Sequence, residues 1–167
     1  MEKYVLDTNI FIEAKNQYYR FSICQGFWDF LKKTKESIFS LQEVFEELKD
    51  KEDELNVFAK ELEQCEFFRE SNAQDCYDEI YNILREMEYR EEAIVDFVSK
   101  ADFALVAYAY KHKCIIVTHE SAGYGGNYTR KRVKIPDVCN RLGITCINTF
   151  EFLEREKAFF ILEENLK

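Results

Sequence analysis

Acidic side chains stand at four points of this sequence where an apolar segment begins or has just ended. Asp7 closes a short apolar run near the N-terminus, and Asp102 opens a helix that is apolar nearly all round. Glu47 lies on the helix after a second apolar run, and Glu120 follows a third. Sites in open parallel sheets form just beyond the carboxyl ends of the strands, so we expect these four carboxylates to meet there.

A cluster of like charges raises the pKa of each carboxyl and costs stability. No Lys or Arg lies within these motifs, whereas a hard divalent cation would neutralise the cluster. Such a cation can orient a phosphodiester, activate water and stabilise developing charge. We therefore predict an Mg²⁺ or Mn²⁺ site in which Asp7, Glu47, Asp102 and Glu120 are both metal ligands and catalytic residues. Candidates for supporting these ligands without binding the cation are Thr8, Asn9 and Thr118.

Structural explanations compete with these assignments. Asp7 could cap the helix that follows it, and Ser99-x-x-Asp102 has the form of a capping box. The two roles of Asp102 are compatible, because a helix N-terminus can orient a carboxylate.

The second acid of the site has three candidates on one helix. Glu43 lies three residues after Ser40, and capping explains that spacing. Glu47 lies one turn beyond Glu43 on the same face of this helix, and we favour it as the second acid. Glu43 and Glu46 remain alternatives to Glu47 at this position.

The elements that must position these residues alternate along the chain. Short apolar runs predict strands at 4–6, 38–40, 114–117 and 144–147, with helices between them. This order is typical of an α/β protein in which helical layers cover a parallel sheet. The region 50–98 reads as helical, and a C-terminal helix is predicted to run to Lys167. Because the sequence contains no recognisable linker or internal repeat, residues 1–167 are predicted to form a single domain.

Composition limits the partners of this chain. Its net charge of −9 is unfavourable for general electrostatic binding of nucleic acid. No apolar run approaches a membrane span, and no signal peptide is visible. Six scattered cysteines without a C-x-x-C pair suggest buried thiols in a reducing cytoplasm.

A basic cluster stands out in this acidic chain. Arg130, Lys131 and Arg132 follow Glu120 closely and are candidates for binding substrate phosphates. Contact with an acidic partner and simple solvation of a loop are the alternatives. Candidates for facing or stacking on a substrate are the aromatic and basic residues Tyr18, Tyr19, Arg20, Tyr124 and Tyr128, whereas His119 is interpreted as a loop residue.

Four segments together resemble the PIN-domain nuclease family, which includes the VapC-type toxins of toxin–antitoxin pairs. They are Val-Leu-Asp-Thr-Asn, an acid on the helix after the second strand, Ala-Asp-Phe-Ala-Leu-Val-Ala-Tyr-Ala, and Ile-Ile-Val-Thr-His-Glu. The resemblance implies a three-layer α/β/α domain and metal-dependent cleavage of RNA at a shared acidic site. It matches Asp7 and Asp102 to family acids and Asn9 to a neighbouring polar residue.

The same resemblance implies a setting and leaves one alternative. We expect an endoribonuclease toxin in the cytoplasm, restrained by a small antitoxin protein and often a homodimer. Glu120 stands where the family usually has Asp. This departure keeps open a second interpretation, a PIN-like module with a weakened site that binds RNA or protein without cutting it.

Overall fold

Five short strands form the centre of the protein, for which a computed structural model describes residues 1–33, 36–123 and 129–161. The strands are β1 (Tyr4–Leu6), β2 (Ile38–Leu41), β3 (Phe68–Arg69), β4 (Ile115–Val117) and β5 (Cys146–Ile147). Within the described ranges they make one parallel sheet in the order β3-β2-β1-β4-β5. The strand that carries Asp7 at its end, β1, is therefore central.

Helices connect the strands and cover the sheet. They are α1 (Thr8–Glu13), α2 (Gln25–Lys33), α3 (Gln42–Lys49), α4 (Glu54–Glu63), α5 (Tyr77–Glu86), α6 (Glu91–Val98), α7 (Ala101–His112), α8 (Ile135–Leu142) and α9 (Thr149–Arg155). A π-helical turn, Ala14–Tyr18, continues α1, and a 3₁₀ turn, Gln74–Cys76, precedes α5.

Ring contacts place helices on both faces of the sheet. Tyr4 of β1 meets Phe152 of α9 with 5.0 Å between ring centroids, and Phe39 of β2 meets Tyr108 of α7 at 5.6 Å. Phe39 is in register with Val5, so its side chain points to the face opposite Tyr4. Helices α7 and α9 thus lie on opposite faces, which confirms the predicted three-layer α/β/α fold.

Burial explains why these segments form these elements. All three residues of β1 and of β4 are buried, as expected of central strands in a sheet covered on both faces. In α7 every residue from Phe103 to Ala109 is buried, in keeping with its nearly continuous apolar sequence. No helix in the described part of the chain is both long and apolar enough to cross a membrane.

Three elements differ from the sequence prediction. The strand β3, which pairs with β2 at Ser40 and Leu41, lies inside the region expected to be helical. The sequence predicts a helix that starts at Phe21, whereas α2 begins at Gln25, and Phe21 stacks on Trp28 from outside the helix with 3.9 Å between ring centroids. The C-terminal helix is wrong over residues 156–161, where the chain leaves helical geometry after α9 and Lys157 has a φ of 51°. Residues 162–167 of that prediction lie outside the described residues.

Candidate functional site

Asp7 lies at the carboxyl end of β1 and is 3% exposed. Its backbone N–H donates to the carbonyl of Val117 at 3.0 Å, which ties it to the end of β4. Its Oδ2 accepts a hydrogen bond from Thr118 Oγ1 at 2.7 Å. Although Asp7 precedes α1, its side chain makes no capping hydrogen bond, so the helix-cap explanation for this acid is wrong.

A polar network surrounds the Asp7 carboxyl. Asn9 Nδ2 donates to Thr118 Oγ1 at 3.0 Å, and Asn9 Oδ1 accepts from the backbone N–H of His119, also at 3.0 Å. The backbone N–H of Glu120 donates to the same threonine hydroxyl at 3.1 Å. Thr118 and Asn9 therefore join the end of β1 to the chain that leaves β4, beside the acid that they were predicted to support.

Glu47 connects three helices. One carboxylate oxygen accepts a hydrogen bond from the hydroxyl of Thr8, at the start of α1. The other accepts from the backbone N–H of Ala101 at 3.1 Å, at the start of α7. Since the first amides of a helix lack partners within it, Glu47 of α3 satisfies an amide that a local cap would otherwise serve.

That contact replaces the capping box predicted from Ser99 and Asp102. Ser99 Oγ donates to the carbonyl of Asp96 at 2.7 Å, and the residue that precedes α7, Lys100, makes no side-chain capping bond. The capping prediction is therefore wrong, and Asp102 remains on the first turn of α7 without that role.

The capping box predicted from Ser40 and Glu43 is also wrong. Ser40 Oγ donates to the carbonyl of Leu6 at 2.5 Å, and α3 begins at Gln42 without a side-chain cap. Glu43 accepts a hydrogen bond from the hydroxyl of Ser71, and its other oxygen is buried with no hydrogen-bond partner among the described residues. Glu43 is thus turned toward the loop after β3.

Glu46, the other alternative to Glu47, is exposed and pairs with Lys49 at 2.6 Å. Of these three acids on α3, Glu47 is the one that accepts hydrogen bonds from Thr8, next to Asp7, and from Ala101, next to Asp102.

Electrostatic interactions join all four predicted acids. The pKa of Asp7 is raised to about 8, first by burial and then by the negative charges of Asp102 and Glu120, while the Thr118 hydrogen bond acts in the opposite direction. Burial raises the pKa of Asp102 to about 6, with contributions from Glu120 and Glu47. The carboxylates lie close enough to destabilise one another's charged forms.

Two of the four carboxylates are occupied by donors from the protein. Glu120 Oε2 accepts from the backbone N–H of Ile135 at 2.8 Å, at the start of α8, and Oε1 lies 3.5 Å from Arg132. Glu47 is held by two donors in the same way. Among the residues that the structure describes, no group of three His, Cys, Asp or Glu side chains is arranged to hold a metal ion. In the described ranges, the only side-chain hydrogen-bond donor to Asp7 or Asp102 is Thr118, which binds Asp7 Oδ2.

The predicted phosphate-binding residues lie on the surface between β4 and α8. Arg130 pairs with Glu88 at 2.9 Å, Arg132 pairs with Glu120, and Lys131 is exposed. Their role remains a prediction. Tyr124 and Tyr128 lie outside the described residues.

One buried acid of this region was not predicted. Asp137, on the first turn of α8, is 6% exposed and accepts a hydrogen bond from the backbone N–H of Gly123 at 2.8 Å. Its second oxygen is buried and has no hydrogen-bond partner in the described ranges. The one sequence feature that could have pointed to Asp137 is its position directly after Pro136, at the start of a helix. It holds the segment that follows Glu120 against α8.

Comparison with known families assigns the chain to one family. A family model described as a domain of unknown function (DUF4411) matches residues 4–160, so the chain belongs to that family. Comparisons with curated proteins and with solved structures gave no match.

Proposed function

We propose that this member of the DUF4411 family is a metal-dependent endoribonuclease that hydrolyses RNA phosphodiester bonds at the carboxyl edge of its sheet. The observation that carries the proposal is the burial of Asp7 beside Asp102, with Glu47 and Glu120 within electrostatic range of the pair. Buried carboxylates are retained in folded proteins where they are paired or bind a cation. The resemblance of the four acidic segments to PIN-domain nucleases supplies the reaction and the substrate.

The donor set fits Mg²⁺ or Mn²⁺. Magnesium is commonly held by one or two carboxylates, keeps several waters and binds substrate phosphates. Asp7 and Asp102 would bind the cation directly. Glu47 and Glu120 would support the site without binding the cation, because their oxygens already accept hydrogen bonds from the protein. When bound, such a cation supplies Lewis acidity and makes a water molecule more acidic.

The remaining residues of the site hold these two acids in place. Thr118 orients the Asp7 carboxylate through its hydroxyl, and Asn9 keeps that threonine against β1. Glu47 fixes the first turn of α7, which carries Asp102. Such outer residues typically change metal affinity or activity by about 10- to 100-fold when they are replaced.

We also propose the setting that the resemblance implies. The chain would act as a toxin in the cytoplasm, restrained by a small antitoxin protein, and would form a homodimer. Six free cysteines support a reducing compartment. Arg130, Lys131 and Arg132 would contact RNA phosphates from the loop beside Glu120.

The test is cleavage of a mixed pool of single-stranded RNA in Mg²⁺ or Mn²⁺. We expect Asp7→Asn and Asp102→Asn each to lower the cleavage rate at least about 100-fold. The control is Asp29→Asn on α2, where the carboxylate accepts from Gln25 at 3.3 Å, and this variant should cut like the wild type. Equal cleavage by all four proteins would indicate a contaminating nuclease and overturn the proposal.

A binding module that does not cut RNA is the second candidate. The observation that favours it is the engagement of Glu120 by Ile135 and Arg132, because both oxygens of this carboxylate already contact donors of the protein. The same assay separates the two functions. If the protein binds RNA in the presence of a divalent cation and no cleavage product forms, the binding module is favoured.

A further inference from the structure

We call the four acids Asp7, Glu47, Asp102 and Glu120 the carboxylate centre. Three aromatic rings lie beside this centre and have no role in it. Tyr18 ends the π-helical turn, His119 directly follows Thr118, and Phe150 lies on the first turn of α9. The ring centroids are 5.3 Å apart for Tyr18 and Phe150, 6.3 Å for Tyr18 and His119, and 6.2 Å for His119 and Phe150. The three rings therefore form one cluster, which we call the aromatic triad.

The aromatic triad is continuous with the candidate site. The backbone N–H of His119 donates to Asn9 Oδ1, and Asn9 in turn donates to the threonine that binds Asp7. The ring of His119 is fixed from the other side, because its Nε2 lies 2.8 Å from the hydroxyl of Thr149. A ligand that contacts His119 would consequently lie next to the end of β1.

The two outer rings of the triad are open to solvent. Tyr18 is 52% exposed and Phe150 is 44% exposed, although both contact other rings. Their contacts restrict how the rings can turn, and the exposed area remains available for a flat ligand. Partly ordered rings lose little conformational entropy when a second ring system packs on them.

RNA binding by this chain needs contacts that do not depend on positive charge. The net charge is −9, and two of the three predicted phosphate-binding residues, Arg130 and Arg132, are already in ion pairs with acids of the same chain. Stacking of bases on aromatic side chains contributes roughly 1–3 kcal/mol per base and tolerates any base. Such stacking requires bases that are not paired in a duplex.

We propose that the aromatic triad of Tyr18, His119 and Phe150 is a stacking platform that holds an unpaired base of single-stranded RNA next to the carboxylate centre. The inference rests on the proposed function, because it places the substrate of that reaction. It adds a base-binding site outside the carboxylates and names the residues that form it.

The test measures affinity separately from cleavage. Fluorescence anisotropy in EDTA reports binding of a labelled single-stranded RNA and of the same strand with abasic positions. Tyr18→Ala and Phe150→Ala should each weaken binding of the intact strand about 5-fold or more, with little effect on the abasic strand. Tyr18→Phe keeps the ring and should bind like the wild type. Phe159→Ala is the matched control, because Phe159 is an aromatic residue that is 85% exposed.

Three outcomes would overturn the platform. Wild-type affinity in both alanine variants would remove it, and equal weakening for the abasic strand would indicate a structural or phosphate effect. A changed oligomeric state in sedimentation, with unchanged RNA affinity, would instead assign the rings to a protein interface.

The two proposals can fail separately. Ring-dependent binding without cleavage would retain the platform and remove the nuclease, and cleavage that is insensitive to the rings would do the reverse.

Discussion

Asp7→Asn should stabilise the protein at about pH 8 in the absence of divalent cations, although it removes a proposed metal ligand. The pKa of Asp7 rises from an ordinary value of 3.8 to about 8 in the folded protein, mainly through burial and through Asp102. The folded state therefore binds this proton more tightly than the unfolded state. Its contribution to stability is complete below about pH 4 and is lost as the pH rises through about 8.

The magnitude follows from the same shift. Each tenfold change in acidity corresponds to about 1.4 kcal/mol, so the wild type should lose on the order of 3 kcal/mol between about pH 5 and about pH 8. The asparagine cannot ionise, and its carbonyl oxygen can still accept from Thr118. Most of that loss should disappear in the variant.

Urea unfolding in EDTA at these two pH values measures the effect. The expected result is a steep decline in the free energy of unfolding for the wild type and for the control Asp29→Asn, and a shallower decline for Asp7→Asn. Parallel declines in all three proteins, or a variant less stable than the wild type at the higher pH, would refute the electrostatic reasoning. Mg²⁺ should reduce the decline in the wild type and leave the Asp7→Asn variant unchanged.

Three further substitutions test the surrounding structure by urea unfolding. Glu47→Ala should cost about 1–3 kcal/mol because the Thr8 hydroxyl and the first amide of α7 lose their acceptor, whereas Glu46→Ala at an exposed position should stay within about 0.5 kcal/mol. Equal costs would show that Glu47 does not organise the helices. Asn148→Ala removes the side chain that caps α9 and should cost about 1 kcal/mol; an unchanged midpoint would exclude that role. Gly143→Ala should cost about 1–2 kcal/mol through its φ of 70° alone, since a Cβ there meets no atom within 4 Å, and a stabilised variant would contradict this.

The sheet could be predicted because its central strands carry their signal locally. The run Tyr4–Leu6 is apolar at every position, and the structure places β1 on those residues. The end of that strand in turn placed Asp7 at the carboxyl edge. By contrast, β3 has only two residues, which is too short for any period, and it forms because Ser40 finds a partner at Phe68.

The capping partners could not be predicted, because they are distant in sequence. Ser40 donates to a carbonyl 34 residues away, and Glu47 accepts from donors 39 and 54 residues away. Local spacing rules consider residues within one helical turn, so they assigned caps to Ser40 and Ser99 that the tertiary structure does not use. The arrangement of helices decides which acid of α3 reaches the site.

Direct titration with a divalent cation tests the central claim of this account. Isothermal titration calorimetry with Mn²⁺ should show binding by the wild type and by Asp29→Asn. Asp7→Asn and Asp102→Asn should each bind at least about 10-fold more weakly. A wild-type protein that binds neither Mn²⁺ nor Mg²⁺, or variants that bind them as tightly as the wild type, would contradict a metal centre built on Asp7 and Asp102.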